Sequence, residues 1–120
     1  MNQQSIQKVQ AAIRAIKQGK MVIIMDDKSR ENEGDLVMAA EKATVETTNF
    51  MIKMARGLVC VPMSRERADQ LELKPMVINN EDPYKTAFTV SVDHKSLHTG
   101  ISAIERCVTI NELANDEATG

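Results

Sequence analysis

The sequence Arg-Glu-Asn-Glu-Gly-Asp at residues 30–35 places three carboxylates, one guanidinium, one amide and one glycine in six positions. Residues 26–35 carry five acidic side chains, which only Lys28 and Arg30 offset. Carboxylates at this density repel one another unless a cation or an arginine relieves the repulsion. Magnesium suits such a cluster, because one or two carboxylates usually hold it and water or substrate oxygens complete its shell. The stretch indicates either a divalent-cation site or an ordinary solvated loop, and its spacing does not match a calcium-binding EF-hand.

A second candidate lies in the sequence His-Thr-Gly-Ile-Ser at residues 98–102. Thr99 and Ser102 offer hydroxyls, and Gly100 lets another group approach the backbone closely. The free N–H groups at the start of the following helix favour an anion such as phosphate. Ser102 is equally explained as a helix cap without any ligand, because Glu105 three residues later completes a capping box.

The remaining reactive residue types carry weaker indications. Cys60 lies in the apolar run 58–62 and is explained by burial as a small hydrophobe. Neither it nor Cys107 shows metal-ligand or disulfide spacing. The loop histidines His94 and His98 receive no role from their spacing.

Two apolar runs flank the acidic stretch and must position it. Residues 21–25 are a continuous apolar run, which predicts a buried strand, and residues 36–40 predict a second strand that returns beside the first. Gly34 is expected to permit a positive φ in the turn between them. Two more strands are predicted, a buried one at 58–62 and an alternating one at 86–93, whereas residues 75–85 read as a loop.

Four helices are predicted between these strands. The first is capped by Ser5 and ends at Gly19, and the second is capped by Thr44 and ends at Gly57. Ser64 caps a short third helix through about Leu71. Ser102 caps the fourth, which extends towards residue 113. The apolar stripes predict that the following side chains face a core: Ile6, Val9, Ile13, Ile16, Phe50, Met51, Met54, Ala68, Leu71, Ile104, Val108 and Leu113.

The interleaving of helices and strands predicts an α/β fold, a compact sandwich with a mixed sheet, and α+β is the alternative. The 120 residues suit one domain, and their composition is near the globular average, with 42% hydrophobic and 27% charged residues. We do not expect nucleic acid as a partner, because the net charge is −2 and aromatic residues make up only 2%. No run reaches membrane-spanning length and no secretory signal is visible, so we expect a cytoplasmic protein without a membrane partner.

Four separated motifs in this order resemble one enzyme family, 3,4-dihydroxy-2-butanone 4-phosphate synthase of riboflavin biosynthesis. They are DDKSRENEGDLVMAAE, GLVCVPM, TAFTVSVD and TGISAIER. The resemblance covers residues from about 5 to 113. It implies a lyase that converts ribulose 5-phosphate to dihydroxybutanone phosphate and formate with Mg²⁺ or Mn²⁺. It also implies a homodimer.

The same resemblance implies roles for individual residues. Glu31 matches a metal ligand of the family, and it counts among the substrate-binding positions as well. Glu33 and Asp35 are the catalytic candidates, and the resemblance implies that Glu33 lies close enough to serve as a ligand or proton carrier. The positions that contact substrate are Arg30, Glu31, Asp35, Cys60, Thr86, Thr99 and Ser102, of which Thr99 and Ser102 would hold the phosphate.

The sequence also departs from the family pattern. Leu97 and His98 stand where threonines are usual, and Ser29 stands where an acidic residue is often found. The family domain continues through a Gly-His-Thr-Glu segment, which carries a second metal ligand, and through a later catalytic glutamate. Residues 1–120 are therefore expected to be a truncated domain. Two alternatives remain: an inactive sugar-phosphate-binding or assembly protein, or the front part of a longer enzyme fused to GTP cyclohydrolase II.

Overall fold

Four helices and two strands make up the fold in the computed structural model, which describes residues 2–120. In chain order these are α1 (Gln3–Lys17), β1 (Val22–Met25), β2 (Gly34–Val37), a 3-10 helical turn (Ala40–Lys42), α2 (Val45–Met54), α3 (Arg65–Gln70) and α4 (Ala103–Leu113). β1 and β2 pair antiparallel, as the hairpin prediction requires. The combination of helices and strands confirms the predicted α/β class. Within residues 2–120 the sheet consists of this antiparallel pair.

Local side-chain chemistry starts three of the helices where the sequence predicted. Thr44 accepts the N–H of Thr47 to begin α2, Ser64 accepts the N–H of Arg67 to begin α3, and Ser102 begins α4. Each hydroxyl satisfies a backbone donor that has no partner inside the helix.

The first helix begins earlier than predicted. Its cap is Asn2, whose side-chain oxygen accepts the N–H of Ser5 at 2.8 Å, so Ser5 lies in the first turn. The predicted cap at Ser5 is therefore wrong, because an amide oxygen three residues upstream takes that role. At the other end Gly19 has φ 74°, which agrees with its predicted role as the helix stop.

The residue with a positive φ after α2 is not the predicted glycine. Arg56, at φ 59°, is the residue in the left-handed region, rather than Gly57. The helix itself ends at Met54.

The strands predicted at 58–62 and 86–93 are not formed in the structure. The second region makes only an isolated antiparallel bridge between Pro75 and Thr89, supported by backbone hydrogen bonds of 2.9 Å around it. A strand needs a continuous backbone partner, and periodicity in one segment cannot supply it. The loop predicted at 75–85 contains no helix or strand, as expected.

The core among residues 2–120 is small. Leu71 and Cys107 are the buried apolar residues, and Thr48 is a buried polar one. Helix α4 packs against α2 and the 3-10 turn, while α1 touches β1. The radius of gyration is 15.6 Å, larger than the roughly 13.6 Å of a typical domain of this length.

Much predicted core surface is exposed. β1 was predicted to be buried, yet Ile23 is 69% exposed and Met25 is 62% exposed, because a two-stranded hairpin is covered here by little more than the edge of α1. The same correction applies to most of the helix stripes, whose exposed members are Ile6, Val9, Ile13, Phe50, Met54, Ile104 and Val108. Within the described part of the chain, no helix combines the length and apolar character that crossing a membrane requires.

Candidate functional site

The acidic stretch forms the loop of the β1–β2 hairpin, residues 26–33. The N–H of Asp26 donates to the carbonyl of Glu33 at 3.2 Å and closes the loop at the ends of the strands. Asn32 takes the left-handed conformation at φ 54°. Asparagine tolerates this region better than most residues, so it makes the turn that the sequence assigned to glycine.

Gly34 has a different role from the predicted positive φ, because it lies in β2 opposite Met25. A Cβ atom at this position would lie 2.7 Å from the Met25 sulfur. The missing side chain therefore provides room for a neighbouring side chain on the paired strand.

The carboxylate of Asp26 lies at the centre of the loop. One oxygen accepts the N–H of Glu31 and the other accepts the N–H of Glu33, both at 2.9 Å. The hydrogen bond from the Glu31 N–H is the main cause that lowers the pKa of the Asp26 carboxyl, with further contributions from Glu33 and Arg30. Hydrogen bonds to the charged form favour ionisation, so Asp26 is negatively charged at neutral pH.

Arg30 joins three groups of the site. Its Nη1 atom lies 3.1 Å from Oδ2 of Asp26 and 3.1 Å from Oε2 of Glu31. The guanidinium carbon lies 5.5 Å from the centre of the Tyr84 ring, a distance typical of a cation–π contact. One arginine thus relieves part of the repulsion between two carboxylates and connects the hairpin loop to the segment that contains Tyr84.

The other carboxylates of the stretch are solvent-facing. Glu33 and Asp35 are exposed, and Asp35 lies in β2 opposite Ile24. The Asp27 carboxylate is hydrogen-bonded within the loop. Its Oδ1 atom accepts from the Ser29 N–H at 2.8 Å and from the Ser29 hydroxyl at 2.6 Å.

Cys60 is exposed, so the interpretation as a buried hydrophobe is wrong for this chain. Partial desolvation raises the pKa of its thiol, and the negative charge of Asp35 adds to the effect. A raised pKa leaves little thiolate at neutral pH, which argues against a nucleophilic role.

Thr86 lies in a loop that the contacts place beside the hairpin. Its N–H donates to Asp82 at 2.8 Å, and its carbonyl accepts from the Asn80 amide at 2.9 Å. Tyr84, the partner of the Arg30 guanidinium, belongs to the same loop. The segment around Thr86 is therefore fixed by its own hydrogen bonds and touches the acidic loop through Tyr84.

The second candidate stretch is organised by a carboxylate of its own helix. Glu105 accepts hydrogen bonds from the N–H groups of His98 and Thr99 at 3.0 and 3.3 Å, and from the hydroxyls of Thr99 and Ser102 at 3.2 and 3.3 Å. The His98 N–H is the largest cause that lowers the pKa of Glu105, to about 2. The donors at this helix start can stabilise an anion, and in this structure Glu105 is that anion.

The metal-binding capacity of the chain rests on few ligands. Among residues 2–120 no three side chains of the His, Cys, Asp or Glu type come together as a metal cluster. Glu31 nevertheless fits Mg²⁺ as a single protein ligand, because magnesium keeps several waters and takes substrate oxygens as further ligands. Glu31 is only partly buried, so a hydrated ion can reach it.

Two residues of this arrangement escaped sequence-based reasoning. The sequence pattern presents Asp26 only as one more negative charge, although its position directly after an apolar strand is a usable signal for a loop-closing side chain. Tyr84 lies 54 positions from Arg30 in the chain, and nothing in the local sequence pairs them.

Comparisons with known proteins support the resemblance seen in the four motifs. The family model described as 3,4-dihydroxy-2-butanone 4-phosphate synthase matches residues 10–120. The riboflavin biosynthesis protein RibBA of Bacillus mycoides is 55% identical over 113 residues, and RibBA of Bacillus cytotoxicus is 53% identical over the same length. The match covers 94% of this chain and 28% of each relative.

Solved structures agree in fold. A crystal structure of 3,4-dihydroxy-2-butanone 4-phosphate synthase in complex with two magnesium ions is similar at a TM-score of 0.88 and 46% identity. RibBX from A. baumannii, a two-domain synthase, is similar at 0.84 and 49% identity. The similarity covers 92% of this chain, but only 52% and 33% of those chains. The chain thus spans about half or less of these similar proteins.

Proposed function

Because the chain belongs to the 3,4-dihydroxy-2-butanone 4-phosphate synthase family, we propose that it carries the metal and substrate loop of a lyase in riboflavin biosynthesis. The reaction is the conversion of D-ribulose 5-phosphate to 3,4-dihydroxy-2-butanone 4-phosphate and formate. The observation that carries the proposal is the hairpin loop, which holds Arg30, Glu31 and Glu33 within one hydrogen-bonded network around Asp26. The family match includes this loop.

We propose Mg²⁺ or Mn²⁺ as the cofactor, with Glu31 as its protein ligand. The two magnesium ions of the similar synthase structure support a divalent cation for the family. A bound divalent cation would supply Lewis-acid stabilisation of negative charge that develops on a substrate oxygen. Arg30 is close enough to contact both Glu31 and a substrate oxygen placed beside it, and its fixed charge favours an anionic sugar phosphate.

The reaction also requires a base beside the carbon that loses a proton. Glu33 is the candidate for this base, because its side chain is exposed while its backbone is fixed by Asp26. Asp35 is the second catalytic candidate, and its place on β2 keeps it at the mouth of the loop. We propose that Cys60 contacts substrate without attacking it, because burial and the charge of Asp35 raise the pKa of its thiol.

We propose that Thr86 binds substrate from the loop that touches Arg30 through Tyr84. Thr99 and Ser102 are proposed to bind the phosphate. In the structure both hydroxyls donate to Glu105, so they must exchange these hydrogen bonds for ones to the substrate phosphate. The phosphate would then take the place of the Glu105 carboxylate as the anion at the start of α4.

As assembly and location we propose a cytoplasmic homodimer without a nucleic-acid or membrane partner. Exposed apolar side chains such as Ile23 and Met25 favour self-association of the chain. The net charge of −2 is unfavourable for contacts with phosphate backbones.

The formate assay tests the catalytic proposal. Purified chain is incubated with ribulose 5-phosphate and Mg²⁺, and formate is measured for the wild type, for Glu31→Ala and for the control Asp27→Ala. We expect formate from the wild type and from Asp27→Ala, and at least about a hundredfold less from Glu31→Ala. Wild-type formate no higher than that of Glu31→Ala, at high protein concentration, contradicts the catalytic proposal.

Two alternative functions remain as candidates. An inactive sugar-phosphate-binding or assembly protein would show ligand-dependent thermal stabilisation without formate. The front part of a longer bifunctional enzyme with GTP cyclohydrolase II is favoured by the length of the RibBA relatives, of which this chain matches 28%. Reading the codons that follow Gly120 in the gene tests the second alternative directly.

A further inference from the structure

The Asp26 carboxylate contacts three other residues of the hairpin loop, Glu31, Glu33 and Arg30. Its two oxygens accept the N–H groups of Glu31 and Glu33, both at 2.9 Å, and Oδ2 also lies 3.1 Å from Arg30. The backbone N–H of Asp26 donates to the Glu33 carbonyl at 3.2 Å. Asp26 follows β1 immediately, so its backbone is held by the strand pairing.

The two residues whose backbones it holds are the ones that the proposed reaction uses. A loop of this length samples many conformations unless internal hydrogen bonds select one. Hydrogen bonds from backbone N–H groups to a carboxylate are among the stronger ones, because the acceptor is charged. Two such bonds fix Glu31 and Glu33 relative to each other as well as relative to the strand.

We propose that Asp26 is the positioning residue of the site, which holds the backbones of Glu31, the proposed metal ligand, and Glu33, the proposed base, in one relative geometry. The importance of that geometry rests on the proposed function, whereas the positioning itself concerns the protein alone. Asp26 does not need to touch substrate or metal. It acts through the backbones of two other residues, and through Arg30 on the Glu31 carboxylate.

The chemistry of the role demands an aspartate. Two N–H groups and a guanidinium require an acceptor with two oxygens and a negative charge, and an ionised carboxylate supplies both. The amide of Asp26→Asn has one oxygen, and its NH₂ group would face an N–H donor. This variant keeps the size of the side chain and removes the function that we assign to it.

The neighbouring residue provides a matched control. Asp27 is in the same loop and has the same charge, but its contacts are with Ser29 rather than with Glu31 or Glu33. Asp27→Asn therefore makes the same change in net charge and in local composition. An effect that arises only from lost negative charge would appear equally in both variants.

The first measurement uses the ¹⁵N-labelled chain without metal. In Asp26→Asn, we expect the amide protons of Glu31 and Glu33 to shift upfield together and to exchange with solvent at least about tenfold faster. In Asp27→Asn, only the Ser29 amide should change in this way. If the Glu31 and Glu33 amides of Asp26→Asn match those of the wild type, the proposal is overturned, whatever the chain does with metal or substrate.

The second measurement is Mn²⁺ binding, followed by the electron paramagnetic resonance signal of the free ion. We expect Asp26→Asn to weaken binding by about 10- to 100-fold, as is usual when a residue that orients a metal ligand is lost. Asp27→Asn should stay within about threefold of the wild type. Equal weakening in both variants overturns the positioning role, because it would reduce Asp26 to a source of charge. A wild type that binds no Mn²⁺ contradicts the proposed function instead, and the amide measurement then decides on Asp26.

Discussion

The carboxylate of Glu105 accepts the backbone N–H of His98 at 3.0 Å and thereby ties the loop before α4 to the first turn of that helix. The same side chain accepts from the Thr99 and Ser102 hydroxyls, the two groups proposed to bind phosphate. The helix start is thus satisfied internally, and its conformation depends on the ionisation of one residue.

Acid should destabilise the protein through Glu105. The His98 N–H is the main cause that lowers its pKa from 4.5 to about 2. Its contribution to stability is therefore present above pH 4.5 and is lost as the pH falls from 4.5 towards 2. We expect Glu105→Gln to be less stable than the wild type at pH 7, and the gap between them to shrink towards pH 2.

Urea unfolding at several pH values measures that gap. Glu112→Gln is the control on the same helix, because the Glu112 side chain accepts only a long hydrogen bond of 3.5 Å from Asn115. A difference between wild type and Glu105→Gln that stays constant from pH 7 to pH 2 would contradict this account.

Arg67 should be a main link between α3 and the C-terminal segment. Its Nη1 atom donates to the Ala118 carbonyl at 3.2 Å, and Nη2 donates to the carbonyls of Leu113 and Asn115. We expect Arg67→Ala to lower the free energy of unfolding by about 2 kcal/mol, since hydrogen bonds from a charged donor to three backbone carbonyls are lost.

A nearby arginine calibrates that measurement. Arg65 on the same helix is 91% exposed and lies 4.0 Å from Asp69, so Arg65→Ala should change stability by less than about 0.5 kcal/mol. Chemical denaturation of both variants provides the comparison. Equal effects of the two substitutions would refute a specific link through Arg67.

Removal of the Thr48 hydroxyl should stabilise the protein. Thr48 is 2% exposed, and its Oγ1 atom has no hydrogen-bond partner within residues 2–120. Thr48→Val keeps the shape and removes the unsatisfied group, so we expect a gain of about 1 kcal/mol and a melting temperature several degrees higher.

The adjacent threonine should respond in the opposite sense. Thr47 accepts the N–H of Thr44 at 2.9 Å in the capping box of α2. Thr47→Val should therefore lower stability by about 0.5–1 kcal/mol. If Thr48→Val melts below the wild type, the Thr48 hydroxyl has a hydrogen-bond partner in solution, and the predicted gain is contradicted.

Gly100 should tolerate no side chain. Its φ is 69°, and a Cβ atom there would collide with the Asp93 side chain. We expect Gly100→Ala to cost at least about 1–3 kcal/mol, because left-handed backbone and steric overlap act together. Gly57→Ala is the control, since within the described structure nothing lies within 4 Å of the added atom. Thermal melts that show equal losses for both variants would contradict the assignment.

Features that depend on neighbouring residues in the chain were predictable from the sequence. The caps at Thr44, Ser64 and Ser102 follow from hydroxyls placed a few residues before their donors. The hairpin follows from two apolar runs joined by a polar loop. The family resemblance of the four motifs, which the comparisons confirm, needed only residue types in order.

The tertiary structure decided whatever depends on a partner distant in the chain. The apolar runs 58–62 and 86–93 have the composition of strands, but a strand forms only where another backbone runs alongside it. The exposure of β1 and the contact between Arg30 and Tyr84 likewise depend on which distant segments of the chain pack against each other. Within the hairpin loop, the sequence by itself determined which residues carry charge. Only the folded backbone decided that Asp26 holds Glu31 and Glu33, because hydrogen bonding depends on distance in space and not on order along the chain.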